Sequence, residues 1–345
     1  MKRGIVLINL GSPDSTSVGD VRKYLNEFLM DKRVIDIPYL GRLMLVRGMI
    51  VPFRAPKSAH AYQSIWTDKG SPLIVLTQEL EAALQAETEY PVTIAMRYGR
   101  FPPREAFDEL LRREPGLEEV LLVPLYPHFA MSSYETAVQY AREQYAQGGY
   151  KFRLTVVPPY YDEPNYLDAL AGTIRPWLQE PFDHVLFSFH GVPERHIYKG
   201  DPTGQHCLRS PDCCSANSVA HRTCYPHHCL VTMKAVAARL GLGAGQFSFS
   251  FQSRLGREEW VKPYTAQRLA DMPGEGIKKL LVVCPAFISD CLETLEEISV
   301  EGRDIFLGAG GESFHQIPCL NVDPAWVKVL KGYAEKAYAE SEIPA

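Results

Sequence analysis

Apolar residues along the chain gather in short runs, separated by longer stretches in which they recur every three or four positions. Runs of the first kind occupy 4–10, 92–96, 120–125, 153–157, 184–189, 246–251 and 279–284. They are rich in Val, Ile, Leu and Phe and bounded by turn residues, as expected of strands covered on both faces. Helical spacing occupies 18–30, 103–113, 134–147, 165–179, 230–240, 261–270 and 290–299. Strand and helix alternate, which predicts an α/β protein with parallel sheets and helices on both faces. The Pro-Pro-Tyr-Tyr turn at 158–161 offers a crossover between two halves. The pattern therefore predicts two doubly wound, Rossmann-like domains, 1–158 and 159–345, with a helix at the C-terminal end of the second.

Sheets of this kind bind ligands outside the carboxyl ends of their strands. Three predicted strand ends carry reactive groups. The run 120–125 leads into Tyr126-Pro127-His128, and 184–189 leads into His190-Gly191. The run 279–284 leads through Pro285-Ala286-Phe287-Ile288-Ser289 to Asp290. His190 is either a hydrogen-bonded core residue or a group that accepts a proton or holds a metal near neutral pH. Asp290, Glu293, Glu296 and Glu297 place four carboxylates in eight residues. Asp290 as helix cap with Glu293 completing a capping box accounts for part of this run. Glu293 and Glu297, four apart, also share a helix face, and a line of acids suits proton relay or cation binding.

Composition narrows the field. With 46% hydrophobic and 22% charged residues over 345 positions, the chain is an ordinary globular one. A net charge of -5 argues against a dedicated nucleic-acid binder. Ile5 to Leu10 is too short for a signal-peptide core and lacks a small-residue cleavage site, and no run of ~18 apolar residues exists to span a bilayer. The expected location is the cytoplasm. The segment 40–53 is strongly apolar, with nine Leu, Met, Val, Ile or Phe residues punctuated by Arg42 and Arg47. It reads as a buried helix, or as an apolar lip over a hydrophobic ligand site or against a membrane surface. Five of the eight cysteines, Cys207, Cys213, Cys214, Cys224 and Cys229, fall within 23 residues. In a reducing compartment that density indicates a metal centre rather than disulfides.

Several strings run in one order along nearly the whole chain. They are Ile8-Asn9-Leu10-Gly11-Ser12-Pro13-Asp14, Gly70-Ser71-Pro72-Leu73, Met96-Arg97-Tyr98-Gly99 and Pro124-Leu125-Tyr126-Pro127. Then follow Phe187-Ser188-Phe189-His190-Gly191-Val192-Pro193, Gly200-Asp201-Pro202 and the string from Phe251-Gln252-Ser253-Arg254 to Trp260. The segment 285–298 and Phe306-Leu307-Gly308-Ala309-Gly310-Gly311 complete the set. In these strings the chain resembles the ferrochelatases, which insert ferrous iron into a porphyrin.

The resemblance implies two chelatase-type halves with a porphyrin cleft between them. It implies insertion of Fe2+ into protoporphyrin IX, with release of two protons, as the last step of haem biosynthesis. By family pattern His190 and Glu293 meet the iron, and Asp290 and Glu297 join them in the proton or metal path. Arg97, Tyr98, Tyr126 and Trp260 line the porphyrin pocket, and Leu43 and Met44 belong to the lip. Cys291 stands where the animal enzymes have histidine, as in many bacterial relatives. Between Gly200-Asp201-Pro202 and Tyr225-Pro226 the family pattern leaves 203–224 as an insertion. Its Cys207, Cys213, Cys214 and Cys224 supply the four thiols of a [2Fe–2S] cluster, with Cys229 in reserve. Zinc is the rival, since His206, His221, His227 and His228 are near, although Cys213-Cys214 lacks the usual zinc spacing. The alternatives are a coproporphyrin ferrochelatase, a chelatase for another metal, and a non-catalytic tetrapyrrole or iron–sulfur binding protein. Expected partners are porphyrin and ferrous iron, a membrane surface at the lip, and a second copy of the chain.

Overall fold

The computed structural model describes residues 1–256 and 258–342; Arg257, within the string that ends at Trp260, lies outside them. The fold consists of two compact bodies. Met1–Leu125, Met131–Pro158 and the C-terminal stretch from Val327 make one, and Tyr126–Ala130 with Pro159–Trp326 make the other.

In the first body β1 (Arg3–Ser12), β2 (Val92–Gly99), β3 (Glu119–Pro124) and β4 (Arg153–Val156) form a parallel sheet in the order β2-β1-β3-β4. In the second, β5 (His184–His190), β6 (Phe247–Gln252), β7 (Lys279–Val283) and β8 (Ser313–Gln316) repeat that order as β6-β5-β7-β8. The central strands explain the unbroken apolar runs. Ile5, Val6, Leu7 and Ile8 of β1 and Val185, Leu186, Phe187 and Phe189 of β5 are wholly buried, because helices cover both faces. In each half the strand order reverses beside the central strand, so the switch point lies at the ends of β1 and β3, and of β5 and β7.

Four sequence expectations shift. The edge strand β8 was not anticipated, since Ser-Phe-His-Gln buries a single side chain and has no apolar run. The helix Pro72–Glu87 was also unread: its opening Leu-Ile-Val-Leu has no polar face, although Leu73, Thr77, Leu80 and Leu84 mark a buried stripe. The helix expected from 261 begins at Thr265, because Pro263 disfavours helical geometry in the residue before it. The acidic segment is a short α-helix, Leu292–Leu295, followed by a π-helix, Glu297–Gly302.

The C-terminal helix, Pro324–Glu342, was assigned by sequence to the second half, yet from Val327 onward it packs with the first. Its Tyr338 explains why. The hydroxyl donates to Gly4 O at 2.6 Å, Arg3 donates to Tyr338 O at 2.9 Å, and the Arg3 guanidinium lies 4.8 Å from the ring.

Candidate active site and thiol-rich loop

His190 closes β5 at the switch point of the second body. Its Nδ1 lies 2.6 Å from Gly191 O, which points to the proton on Nδ1 and leaves the Nε2 lone pair free to accept. Trp260 and Phe287 flank the ring at 6.5 and 6.2 Å between centroids. Gly191 is required by close approach: a Cβ there would stand 2.8 Å from Gln252 O and 3.1 Å from Trp260 Cε3.

The carboxylates divide by environment. Asp290 is buried, and both of its oxygens are occupied. They accept from Thr294 Oγ1 at 2.8 Å, Asn321 Nδ2 at 2.7 Å, the Cys319 N–H at 3.2 Å and Gln316 Nε2 at 3.4 Å. Asp290 thus ties the loop after β7 to the segment after β8. The expected capping box is displaced by one residue. Cys291 is the N-cap and Thr294 its partner, and the Glu293 carboxylate lies in hydrogen-bond contact with the Cys291 thiol.

Glu297 accepts from the Ser253 N–H at 2.6 Å and the Ser253 hydroxyl at 2.5 Å. Burial raises its carboxyl above the ordinary value, Ser253 and His190 oppose the rise, and the Glu293 charge adds to it. Gln252 Nε2 donates to Glu293 O at 2.8 Å, which anchors the acidic turn to the end of β6. The second body therefore brings together His190, Trp260, Glu293 and Glu297, with Asp290 behind them as a brace. Tyr126 is a buried residue of the same body.

The other expected residues belong to the first body. Arg97 donates to Asp31 at 2.5 Å and to Thr136 Oγ1 at 2.7 Å, and stacks over Tyr98 at 4.2 Å and Tyr140 at 4.5 Å. Tyr98 is fully buried and donates to Asp31 at 2.8 Å. Burial pushes the Asp31 carboxyl up, but hydrogen bonds from Thr136, the Arg33 N–H and Tyr98, with the Arg97 charge, bring it below the ordinary value. Tyr98 thus stands behind Arg97 as a support. Leu43 is half-buried and Met44 exposed, so the 40–53 segment is not a core helix.

The five clustered cysteines share one loop and the helix that follows it. Cys224 lies within hydrogen-bond reach of both Cys214 and Cys207, and Cys213 Sγ is 3.9 Å from Cys214 Sγ. The hydrogen bond from Cys224 brings the Cys214 thiol down to about 7. Cys229 is fully buried and pairs with Tyr225. Among the described residues no three ligand side chains are closed as around an ion; the thiols stand in hydrogen-bonded pairs. The histidines hold the loop's backbone. His206 and His221 lie 2.8 and 3.1 Å from Cys213 O, and His227 lies 2.7 Å from Cys214 O. His228 is 2.7 Å from His221 O. Asp201 accepts from the N–H groups of Thr203, His206 and Cys207 at 2.9, 2.8 and 2.9 Å.

Sequence reasoning missed Gln252, Ser253 and Asp31. The first two were accessible, since they end a predicted strand where ligands bind. Asp31 carried no signal, because nothing local distinguishes it from a solvated acid.

Two parallel sheets with one strand order, and an imidazole and acids at the switch point of one of them, define a chelatase-type α/β protein. A solved structure, SirB from Bacillus subtilis with Fe3+, matches with a TM-score of 0.54 at 11% identity, covering 99% of this chain and 98% of that one. The sirohydrochlorin chelatase SirB from Bacillus subtilis subspecies spizizenii in complex with cobalt gives 0.52 at 9% identity, covering 96% and 93%. At such identities the likeness is one of fold. The family model for ferrochelatase matches residues 2–338. The ferrochelatase of Ectopseudomonas mendocina (strain ymp) is 50% identical over 335 residues, 96% of this chain and 97% of the relative. That of Pseudomonas syringae pv. tomato (strain ATCC BAA-871 / DC3000) is 48% identical over 336 residues, again 96% and 97%. The chain belongs to the ferrochelatase family.

Proposed function

We propose that His190, Glu293 and Glu297 carry out the family's reaction, insertion of ferrous iron into protoporphyrin at the last step of haem synthesis. The reaction removes two pyrrole protons while the ion loses its water. The observation that carries the assignment is the free Nε2 of His190 beside a carboxyl, Glu297, whose proton affinity is raised by burial. His190 accepts a pyrrole proton or meets the iron, and the two glutamates pass protons on or receive the ion. Asp290 positions these groups rather than exchanging protons itself, since its four hydrogen bonds would have to break first. Arg97 and Trp260 contact the porphyrin, Tyr98 and Asp31 hold Arg97, and Leu43 and Met44 form an apolar lip that also rests on a membrane surface.

An anaerobic assay with Fe2+ tests this reading, with protoporphyrin and coproporphyrin in separate arms. His190→Ala is expected to abolish metallation while porphyrin binding, followed by fluorescence quenching, persists. Normal turnover by that variant defeats the assignment.

For the thiol-rich loop, a [2Fe–2S] cluster on Cys207, Cys213, Cys214 and Cys224 is the reading the donor set fits best. The thiols of Cys207, Cys224, Cys214 and Cys213 follow one another in pairwise contact and supply the number of donors such a cluster needs, while the adjacent Cys213-Cys214 pair lacks the usual zinc spacing. A bound cluster would cross-link the 203–224 loop, a structural contribution. Iron and sulfide analysis of anaerobically purified protein decides it; one zinc per chain and no colour retires it.

A further inference from the structure

The segment between Asp36 and Asp68 contains Arg42, Arg47, Arg54 and Lys57 and no acidic residue, in a chain whose net charge is -5. Within it Leu40, Met44, Met49 and Phe53 are 71%, 74%, 63% and 77% exposed. Their spacing is four, five, four. In a regular helix the step of five would carry Met49 away from Met44, but Met44–Ile50 is a π-helix, closed by a hydrogen bond from the Val51 N–H to Val46 O. Bonding from i to i+5 brings the fifth residue back to the same side, so the π-turn keeps the four side chains in one stripe.

Beside the segment, between the helices Val18–Leu29 and Val51–Ile65, lies a cavity of about 430 Å³ lined by Arg22, Lys23, Asn26, Arg47, Val51 and Pro52. Arg22, Lys23 and Arg47 are exposed. Arg47 Nε donates to Asn26 Oδ1 at 2.9 Å, a neutral partner, and Lys23 pairs with Asp14 at 3.2 Å, leaving the cavity net positive.

We propose that this cavity is a headgroup site for anionic phospholipid, which makes the lip selective for negatively charged bilayers. The proposal rests on the reading of 40–53 as a membrane-facing lip and adds to it a lipid class and the residues that recognise it. An apolar stripe inserting about 5–10 Å beneath the headgroups would leave guanidinium and ammonium groups on its flank level with the phosphates. Each basic residue at such a surface strengthens binding about fivefold, so Arg22 and Arg47 together account for roughly 30-fold.

The experiment is flotation of the full chain with phosphatidylcholine vesicles and with vesicles containing phosphatidylglycerol. Wild type is expected to prefer the anionic vesicles, and 0.5 M salt, where screening is within ~5 Å, should remove that preference. Arg22→Gln with Arg47→Gln should weaken anionic binding by roughly 30-fold. Arg100→Gln with Lys151→Gln removes the same charge from exposed sites elsewhere in the body and should have little effect. Met49→Ser with Phe53→Ser should weaken binding to both kinds of vesicle. Melting curves matching wild type confirm that the variants are folded. Equal binding to both vesicles, or equal losses in the two charge variants, overturns the headgroup site while leaving an apolar lip. Binding to neither vesicle overturns both.

Discussion

Asp31→Asn is the sharpest test of how the first body holds Arg97. The substitution keeps shape and removes one charge. Asp31 and Arg97 have side chains 4% and 15% exposed, so neither solvent nor salt can replace the lost partner. Breaking a buried pair from one side costs about 3–5 kcal/mol, because the other charge stays buried without compensation. For a body of this size that corresponds to a fall in Tm of roughly 6–20 °C. The loss must also depend on pH. The Asp31 carboxyl lies below its ordinary value of 3.8 in the folded state, so the unfolded chain binds that proton more readily. Its stabilisation is therefore complete above about 4 and disappears as pH falls through the folded value. Urea unfolding of wild type and variant at pH 7 and at the lowest pH where both fold should show the gap closing in acid. A gap under 1 kcal/mol at pH 7, or one independent of pH, refutes the reasoning. At temperatures where the variant is folded, porphyrin KM should rise more than kcat falls, since the guanidinium has lost its anchor.

Glu297→Gln should slow metallation by removing a proton acceptor, yet gain stability relative to wild type as pH rises above 4.5, because ionising the buried carboxyl opposes folding; stopped-flow metallation and chemical unfolding at pH 4.5 and 7.5 report the two effects separately. Leu43→Ser with Met44→Ser should cost only about 1–2 kcal/mol of stability, since Met44 is exposed and Leu43 half-buried, while raising porphyrin KM. A loss of several kcal/mol there would mean a core helix. In protein stripped of metal, iodoacetamide should reach Cys214 before the other seven cysteines, as the half-exposed thiol with a lowered pKa; peptide mapping after brief labelling at pH 7 checks the order.

What the sequence determined is what depends on local pattern. The central strands β1, β3, β5 and β7 were readable because a strand covered on both faces is apolar along nearly all its length, and β2, β4 and β6 from Val, Ile, Leu and Phe gathered between turn residues. His190 stood out as an imidazole at a strand end, while spacing alone left the part of Glu293 and Glu297 open. The edge strand β8 escaped since an edge buries few side chains, and the helix Pro72–Glu87 because its apolar opening hides its period. Tertiary structure decided the surroundings of the acids. Asp290 and Glu297 stand seven residues apart in one run, yet Asn321, Cys319 and Gln316 saturate the first, and Ser253 and burial tune the second. The histidines of the thiol-rich loop, whose nearness left zinc as a rival in the sequence, each hold a backbone carbonyl through one ring nitrogen. Hydrogen-bond partners distant in sequence fix which lone pairs and protons remain free, and no local pattern of residues encodes that choice.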